Sequence, residues 1–273
     1  MPLSAETERL LLILLVVTFA VASLASILVP QSDKRKAIVV PGIITIALVL
    51  AAAAIAVRWV REDQGPFLTL YDVLLSNLFS LAFVYLAVYL LVREMRPAAI
   101  VVMPVLLLLG LWLVRVPAEA IPLPATYDNY WLWLHVISGK LFFGLCLAAA
   151  SGATLLMVGT VRDSRPADAP AMRSTDVAVW RLMSMAFICQ SFMLVAGAVW
   201  AHSAWGRYWA WDSLETWALL TWLVLALLLH VRITFKQLSI AYLWAGVVLV
   251  FALAFLTFLG VPFVSIAPHK GVM

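Results

Sequence analysis

Long apolar runs separated by short polar segments dominate the pattern of hydrophobic positions along the chain. Eight of these runs are long enough to cross a hydrocarbon core of about 30 Å as helices. None alternates as a membrane β-strand does, and a helix satisfies its own backbone in lipid, so each run predicts an α-helix. The predicted spans are approximately 9–29, 37–57, 74–92, 98–115, 131–160, 182–203, 216–235 and 241–261.

Composition agrees with this pattern and removes other classes of protein. Of 273 residues, 65% are hydrophobic and 12% are charged, which excludes a water-soluble globule and a disordered chain. The net charge of +4 is spread over short loops, so nucleic acid is not a predicted partner. Cys146 and Cys189 form no Cys-x-x-Cys motif, which argues against a disulfide framework and against self-attached c-type haem. We predict an all-α polytopic membrane bundle forming one domain, 1–273.

Basic residues in the short loops predict the orientation of the bundle. The loops after spans one, three, five and seven carry eleven Lys and Arg residues, whereas the opposite side carries six. Because basic loops stay in the cytoplasm, both termini are predicted to lie outside. The loop 161–181 is then cytoplasmic, and the connection 203–216 lies on the outer face.

Tryptophan is concentrated near this outer connection. Six of the twelve tryptophans lie between 200 and 222: Trp200, Trp205, Trp209, Trp211, Trp217 and Trp222. An interfacial aromatic belt is one explanation, since indole favours the boundary between apolar and wet regions. A belt is distributed over many helix ends, however, and this cluster belongs to a single connection. The cluster therefore favours an aromatic platform for a planar, hydrophobic ligand.

Two carboxylates lie at the end of the tryptophan-rich connection. Asp212 and Glu215 have N-cap and N3 spacing before the seventh span, so a capping box accounts for both. That structural role is compatible with a binding role, because a capped helix start holds the connection rigid beneath a ligand.

The four histidines supply candidate metal ligands. His135, His202 and His269 share the predicted outer face with the tryptophans, and imidazole is a good iron ligand. An aromatic surface with axial nitrogen donors suits haem. His230 lies about 20 Å further down the seventh helix, at a second location toward the cytoplasmic leaflet. It is either a functional intramembrane residue or a helix-end histidine bonded to a carbonyl.

These residues carry a resemblance to a known family. The pattern Trp-Gly-x-x-Trp-x-Trp-Asp-x-x-Glu-Thr-Trp over 205–217, continuing to His230 and preceded by Gly197-Ala-Val-Trp-Ala201, resembles the WWD motif of CcsA/ResC-type cytochrome c biogenesis proteins, which are related to CcmC. Trp131-Leu-Trp-Leu-His-Val136 is similar to the family segment with the first outer haem ligand. Pro66-Phe-Leu-Thr-Leu-Tyr-Asp72 loosely resembles an outer loop motif.

The resemblance implies roles for individual residues. His230 would accept haem in the inner leaflet, and His135 and His269 would be the outer axial ligands of the haem iron. Trp205, Trp209, Trp211 and Asp212 would cradle the haem, with His202, which replaces the family's usual Asn, and Glu215 beside them. The haem would be haem b, bound non-covalently as a substrate.

The implied function is cytochrome c maturation. The chain would move haem to the outer face of a bacterial cytoplasmic membrane and present it for thioether attachment to the Cys-x-x-Cys-His motif of an apocytochrome. It would act as a subunit of a cytochrome c haem lyase with a ResB/CcsB-type membrane partner. A b-type haem electron-transfer subunit of a respiratory complex is the alternative; a secondary transporter would show broken helices or paired repeats, which the sequence lacks.

Overall fold

The computed structural model describes residues 5–30, 35–63, 68–122, 124–162, 170–235 and 237–260. Within these residues it is all-helical and contains eight helices that are long and apolar enough to cross a membrane, which confirms the predicted fold class. The helices are α1 (Ala5–Leu28), α2 (Lys36–Glu62), α3 (Leu70–Leu91), α4 (Ala99–Leu113), α5 (Tyr130–Arg162), α6 (Pro170–Trp205), α7 (Ser213–Thr234) and α8 (Ile240–Leu259). The chain divides into two compact units, 1–123 and 124–273. The single domain and the outside location of both termini stay predictions.

A buried charge network joins the helix ends at one end of the first unit. Arg58 near the end of α2 pairs with Asp72 at the start of α3 and donates to the Glu119 carbonyl at 2.7 Å. Glu8 at the start of α1 accepts from the Tyr71 hydroxyl at 2.5 Å and pairs with Arg61 at 2.9 Å. These contacts bring the start of α1, the end of α2, the start of α3 and the segment after α4 to the same level, so the first four helices alternate in direction.

The segment 66–72, which loosely resembles a family motif, has a structural role in this network. Thr69 caps α3 by accepting from the Asp72 backbone N–H, and the Asp72 carboxylate accepts in return from the Thr69 backbone N–H. The same carboxylate binds Arg58. Pro66 and Phe67 lie outside the described residues. The motif residues Thr69 and Asp72 therefore organise the start of α3.

The second unit is built around α5, which packs most extensively against α6 and then against α8. Phe143 of α5 stacks on Phe258 and Phe251 of α8, with ring centroids 5.2 and 5.7 Å apart. Gly246 of α8 lies against α7 so closely that a Cβ there would come within 2.6 Å of Leu228 Cδ1. Small residues allow such close helix contacts in membranes, where packing rather than water drives association.

Helix α6 begins well before the predicted span. Residues 170–181, predicted as part of the loop 161–181, are helical from Pro170 onward. Proline suits the first helical turn because N–H groups there have no acceptor within the helix, so the lack of one costs nothing. Hydropathy locates the apolar part of a helix and not its end, so the polar residues of this stretch hid the first three turns.

A polar cluster holds this added length of α6 to the rest of the second unit. Asp176 is 4% exposed and accepts from the indole N–H of Trp180 at 2.9 Å and of Trp244 at 2.8 Å. Its other oxygen accepts from Arg232 of α7 at 2.5 Å, and the Arg232 guanidinium lies over the Trp180 ring. One carboxylate thus joins α6, α7 and α8.

We expect Asp176→Ala to lower the free energy of unfolding by about 3 kcal/mol, because two indole donors and Arg232 lose their acceptor in an apolar setting. Thermal unfolding of the detergent-purified protein measures the loss. Ser174→Ala is the matched control, since the exposed Ser174 hydroxyl bonds to the Ala171 carbonyl within α6. Equal melting temperatures for both variants would contradict the assignment.

Candidate functional site

His135 lies in the first turns of α5 and points at the backbone of α6. Asn129 accepts from the Trp131 backbone N–H at 2.8 Å and so fixes where α5 begins. The His135 Nδ1 atom is 2.8 Å from the Met193 carbonyl oxygen of α6. A Cβ added to Gly197 would lie 2.6 Å from the same Nδ1, so the imidazole occupies space that any other residue at 197 would fill.

This contact indicates which tautomer the neutral imidazole adopts. A carbonyl oxygen can only accept, so in the neutral ring Nδ1 carries the hydrogen and Nε2 carries the lone pair. Histidines that bind metals commonly donate their other N–H to a carbonyl in this way. The chemistry of His135 therefore matches an iron ligand through Nε2.

The tryptophans form separate groups. Trp200, 4% exposed on α6, donates its indole N–H to the Thr126 carbonyl at 3.0 Å and packs edge-on against Trp205 and Tyr127. Burial raises the pKa of the Tyr127 phenol. Trp222 instead stacks on Phe187 inside the second unit and donates to Ser191. Trp200 and Trp222 thus serve packing.

Trp209, which is half-buried, and Trp211, which is exposed, form another part of the aromatic surface. Their rings meet at 79° with centroids 5.8 Å apart, so they make a corner and not a flat platform. Trp211 is 71% exposed. The Trp209 indole nitrogen is buried and has no hydrogen-bond partner among the described residues. A buried donor without an acceptor is costly, which makes Trp209 Nε1 a candidate contact for a ligand oxygen.

The connection itself, residues 206–212, is shorter than the predicted 203–216, and we call it the tryptophan loop. It follows the end of α6, where Gly206 adopts φ +74° and its N–H bonds to the His202 carbonyl. Trp211 adopts φ 58°, a left-handed conformation that is strained for an aromatic residue. Such strain persists only where surrounding contacts hold the chain.

Asp212 and Glu215 provide those contacts. Asp212 is the N-cap of α7 and accepts from the Glu215 backbone N–H at 2.9 Å, as predicted. The Glu215 carboxylate accepts from the Ala210 backbone N–H at 2.7 Å, two residues before the position that a capping box uses. Glu215 therefore bonds across the loop, with Trp211 lying between its two partners.

The remaining histidines lie apart from this arrangement. The exposed His202 ring stacks on Tyr208 with centroids 4.2 Å apart. His230 is exposed on α7, on the same face as Leu223 and Leu227. His269 lies outside the described residues. In the part of the chain that the structure describes, no group of three or more His, Cys, Asp or Glu residues is arranged to hold a bare metal ion.

Sequence reasoning missed the residues of α6 that meet His135. Met193 contributes a backbone oxygen, which no residue type signals, and Gly197 contributes the absence of a side chain. Gly197 was within the motif that resembles the family, and glycine inside a membrane helix is a signal for a close approach. Tyr208, the partner of His202, gave no signal beyond being aromatic.

The fold, His135 and the tryptophan loop define a polytopic helical membrane protein with a candidate metal-binding imidazole. A family model described as cytochrome C assembly protein matches residues 7–269. The chain belongs to this family and is of the CcsA type, with a role in cytochrome c maturation. The family handles haem and apocytochrome.

Relatives come from several organisms. A cytochrome c biogenesis protein CcsA of Chlamydomonas reinhardtii is 31% identical over 81% of this chain and 62% of its own length, so the match leaves more than a third of that protein uncovered. The CcsA of Porphyra purpurea is 30% identical over 70% of this chain and 73% of its own length. The solved structure of the cytochrome c haem lyase CcmF has a similar fold, with TM-score 0.67 and 19% identity over 97% of this chain and 48% of that chain.

We expect Glu215→Ala to expose the Ala210 amide and to speed its hydrogen exchange by about tenfold, since a bond to a charged acceptor contributes on the order of 1.5 kcal/mol or more. Hydrogen exchange of a peptide covering the tryptophan loop measures this. Ser213→Ala, an exposed change in the same turn of α7, should leave the exchange unchanged. Unaltered protection in Glu215→Ala would show that this bond does not hold the loop.

Proposed function

We propose that this chain binds haem b non-covalently as a substrate, carries it to the outer face of the membrane and presents it to an apocytochrome. The observation that carries this proposal is the His135 imidazole with Nδ1 against the Met193 carbonyl, an arrangement that favours the tautomer in which histidine binds a metal through Nε2. His269 is proposed as the second outer axial ligand on the resemblance alone.

The tryptophan loop supports haem binding with two further features. The buried Trp209 N–H needs an acceptor, and haem carries two carboxylates that can supply one. The exposed Trp211 ring offers apolar area for a planar ligand. Trp205, Asp212, Glu215 and His202 border the same loop, and we assign Asp212 and Glu215 to holding its shape.

His230 is the proposed inner site. It is an exposed imidazole on α7, the helix with the least buried apolar window of the eight, 22% against 72% for α5. An ionisable side chain facing lipid is costly unless something pairs with it or covers it. We propose that haem and a ResB/CcsB-type membrane partner meet α7 at this imidazole, so that haem enters near the inner leaflet.

The proposed reaction takes place at the outer site. Each thiol of a reduced Cys-x-x-Cys-His motif adds across one haem vinyl group, the sulfur bonding to one vinyl carbon and the proton going to the other. The residues of this chain hold the haem still and leave its vinyl groups accessible, which is catalysis by positioning. The chain would therefore act as a subunit of a cytochrome c haem lyase.

For the location, we propose a bacterial cytoplasmic membrane with the haem site on its outer, periplasmic face. The excess of basic residues in alternate loops supports this orientation. Because relatives include plastid proteins, a membrane of that organelle is the corresponding location in those organisms.

We expect His135→Ala to reduce the haem content of the purified protein by about tenfold or more, since it removes an axial ligand. Absorption spectroscopy measures the haem, and Ser203→Ala is the control, since it removes an exposed hydroxyl that bonds to the Val199 carbonyl within α6. Addition of a reduced Cys-x-x-Cys-His peptide to the wild type should then transfer haem to the peptide. Haem retained through repeated additions would contradict transfer by this chain and favour the electron-transfer alternative.

We expect Trp209→Phe to weaken haem retention by about tenfold, because it keeps an aromatic ring but deletes the buried N–H donor. Haem lost during gel filtration, followed by absorbance, measures this. Trp211→Phe is the matched control, since it makes the same substitution in the same loop at an exposed tryptophan. Equal retention in the two variants would remove the donor role of Trp209.

A further inference from the structure

Helices α5 and α6 meet through two reciprocal contacts. His135 and Gly139 lie one turn apart on α5, and Met193 and Gly197 lie one turn apart on α6. The His135 ring lies over Gly197, and the Met193 thioether lies over Gly139, where a Cβ would come within 3.0 Å of Met193 Sδ. Each helix thus offers one large side chain to a glycine of the other.

The two contacts differ in what they can tolerate. A Cβ at Gly139 would meet the sulfur of a flexible methionine and the edge of the Phe258 ring at 3.2 Å. A Cβ at Gly197 would lie 2.6 Å from His135 Nδ1 and 2.9 Å from Cε1, so it would enter the ring itself. An alanine at 197 must therefore displace the imidazole or separate the helices.

Displacing the imidazole also breaks its hydrogen bond. The Met193 carbonyl lies one turn before Gly197, and the ring reaches it at 2.8 Å because no side chain at 197 intervenes. Loss of that bond releases both the orientation of the ring and the preference for hydrogen on Nδ1. The helix backbone at 193–197 therefore controls which nitrogen of His135 presents a lone pair.

We propose that Gly197 and the Met193 carbonyl are positioning elements that hold the His135 ring and favour its Nδ1–H tautomer, in which Nε2 is the nitrogen that binds haem iron. This inference rests on the proposed function, because it acts through His135 as an iron ligand. The absence of a side chain at 197 is then a requirement of haem ligation and not only of helix packing.

The test compares three glycine-to-alanine variants of the purified full chain. Gly197→Ala should lower haem content by about tenfold, the range expected when the support of a metal ligand is lost, and should alter the absorption and electron paramagnetic resonance spectra of the remaining haem. Gly139→Ala disturbs the same helix interface and should keep the wild-type spectrum at a lower melting temperature. Gly159→Ala, where among the described residues a Cβ would meet only Met172, at 3.7 Å, should change neither.

A second measurement is made on the wild-type chain and uses a variant only to assign one signal. Nitrogen-15 NMR of haem-free protein labelled at histidine, with His135→Gln to identify the signal, reports which ring nitrogen carries the hydrogen. Hydrogen on Nδ1 supports the proposal. Hydrogen on Nε2, or a wild-type haem content and spectrum in Gly197→Ala, overturns it.

The two proposals fail separately. If His135→Ala loses haem while Gly197→Ala matches the wild type, the positioning role is wrong and the proposed function stands. If His135→Ala keeps its haem and spectrum, the assignment of His135 as a ligand fails, and with it the role of the glycine in ligation.

Discussion

The close approach of an imidazole to the backbone of a neighbouring membrane helix is the contact on which the site depends. An imidazole inside a bundle needs a partner for its N–H, and the Met193 carbonyl provides one at 2.8 Å. That approach requires a glycine at 197, because any Cβ would occupy the place of the ring. The absence of a side chain at 197 therefore determines both the packing of α5 against α6 and the hydrogen bond of His135.

The same need to satisfy polar groups in an apolar setting explains the two charge clusters. Arg58 and Arg61 neutralise Glu8 and Asp72 at the helix ends of the first unit. Asp176 gathers Arg232 and two indole N–H groups where α6, α7 and α8 meet. Lipid tails are as apolar as the helix surfaces, so hydrophobic contact alone does not fix how neighbouring helices align. Each cluster supplies polar contacts that do.

In the tryptophan loop, hydrogen bonds to carboxylates hold a strained backbone. Trp211 adopts a left-handed conformation between the Ala210 N–H, which Glu215 accepts, and the Asp212 cap. In this conformation the Trp211 ring is exposed. A fixed, exposed ring loses little conformational freedom when a planar ligand binds it.

The interpretation of Asp212 and Glu215 as structural residues and their place beside a ligand surface are compatible. Asp212 caps α7 as its spacing predicts, and Glu215 reaches Ala210 instead of the cap residue. Spacing identifies the pair because capping is local. Glu215 reaches the Ala210 N–H because of the path of the loop, in which Gly206 and Trp211 have left-handed backbone conformations.

The sequence by itself determined the eight apolar helices, the position of the tryptophan cluster and the family. These features follow from hydropathy, length and residue type, which are local properties of the chain. It placed the start of α6 twelve residues too late, because Asp176 and its neighbours resemble loop residues until Trp180, Trp244 and Arg232 surround them. Only the tertiary structure decided that Met193 and Gly197 fix His135, since a backbone oxygen and an absent side chain act only when a second helix lies against them.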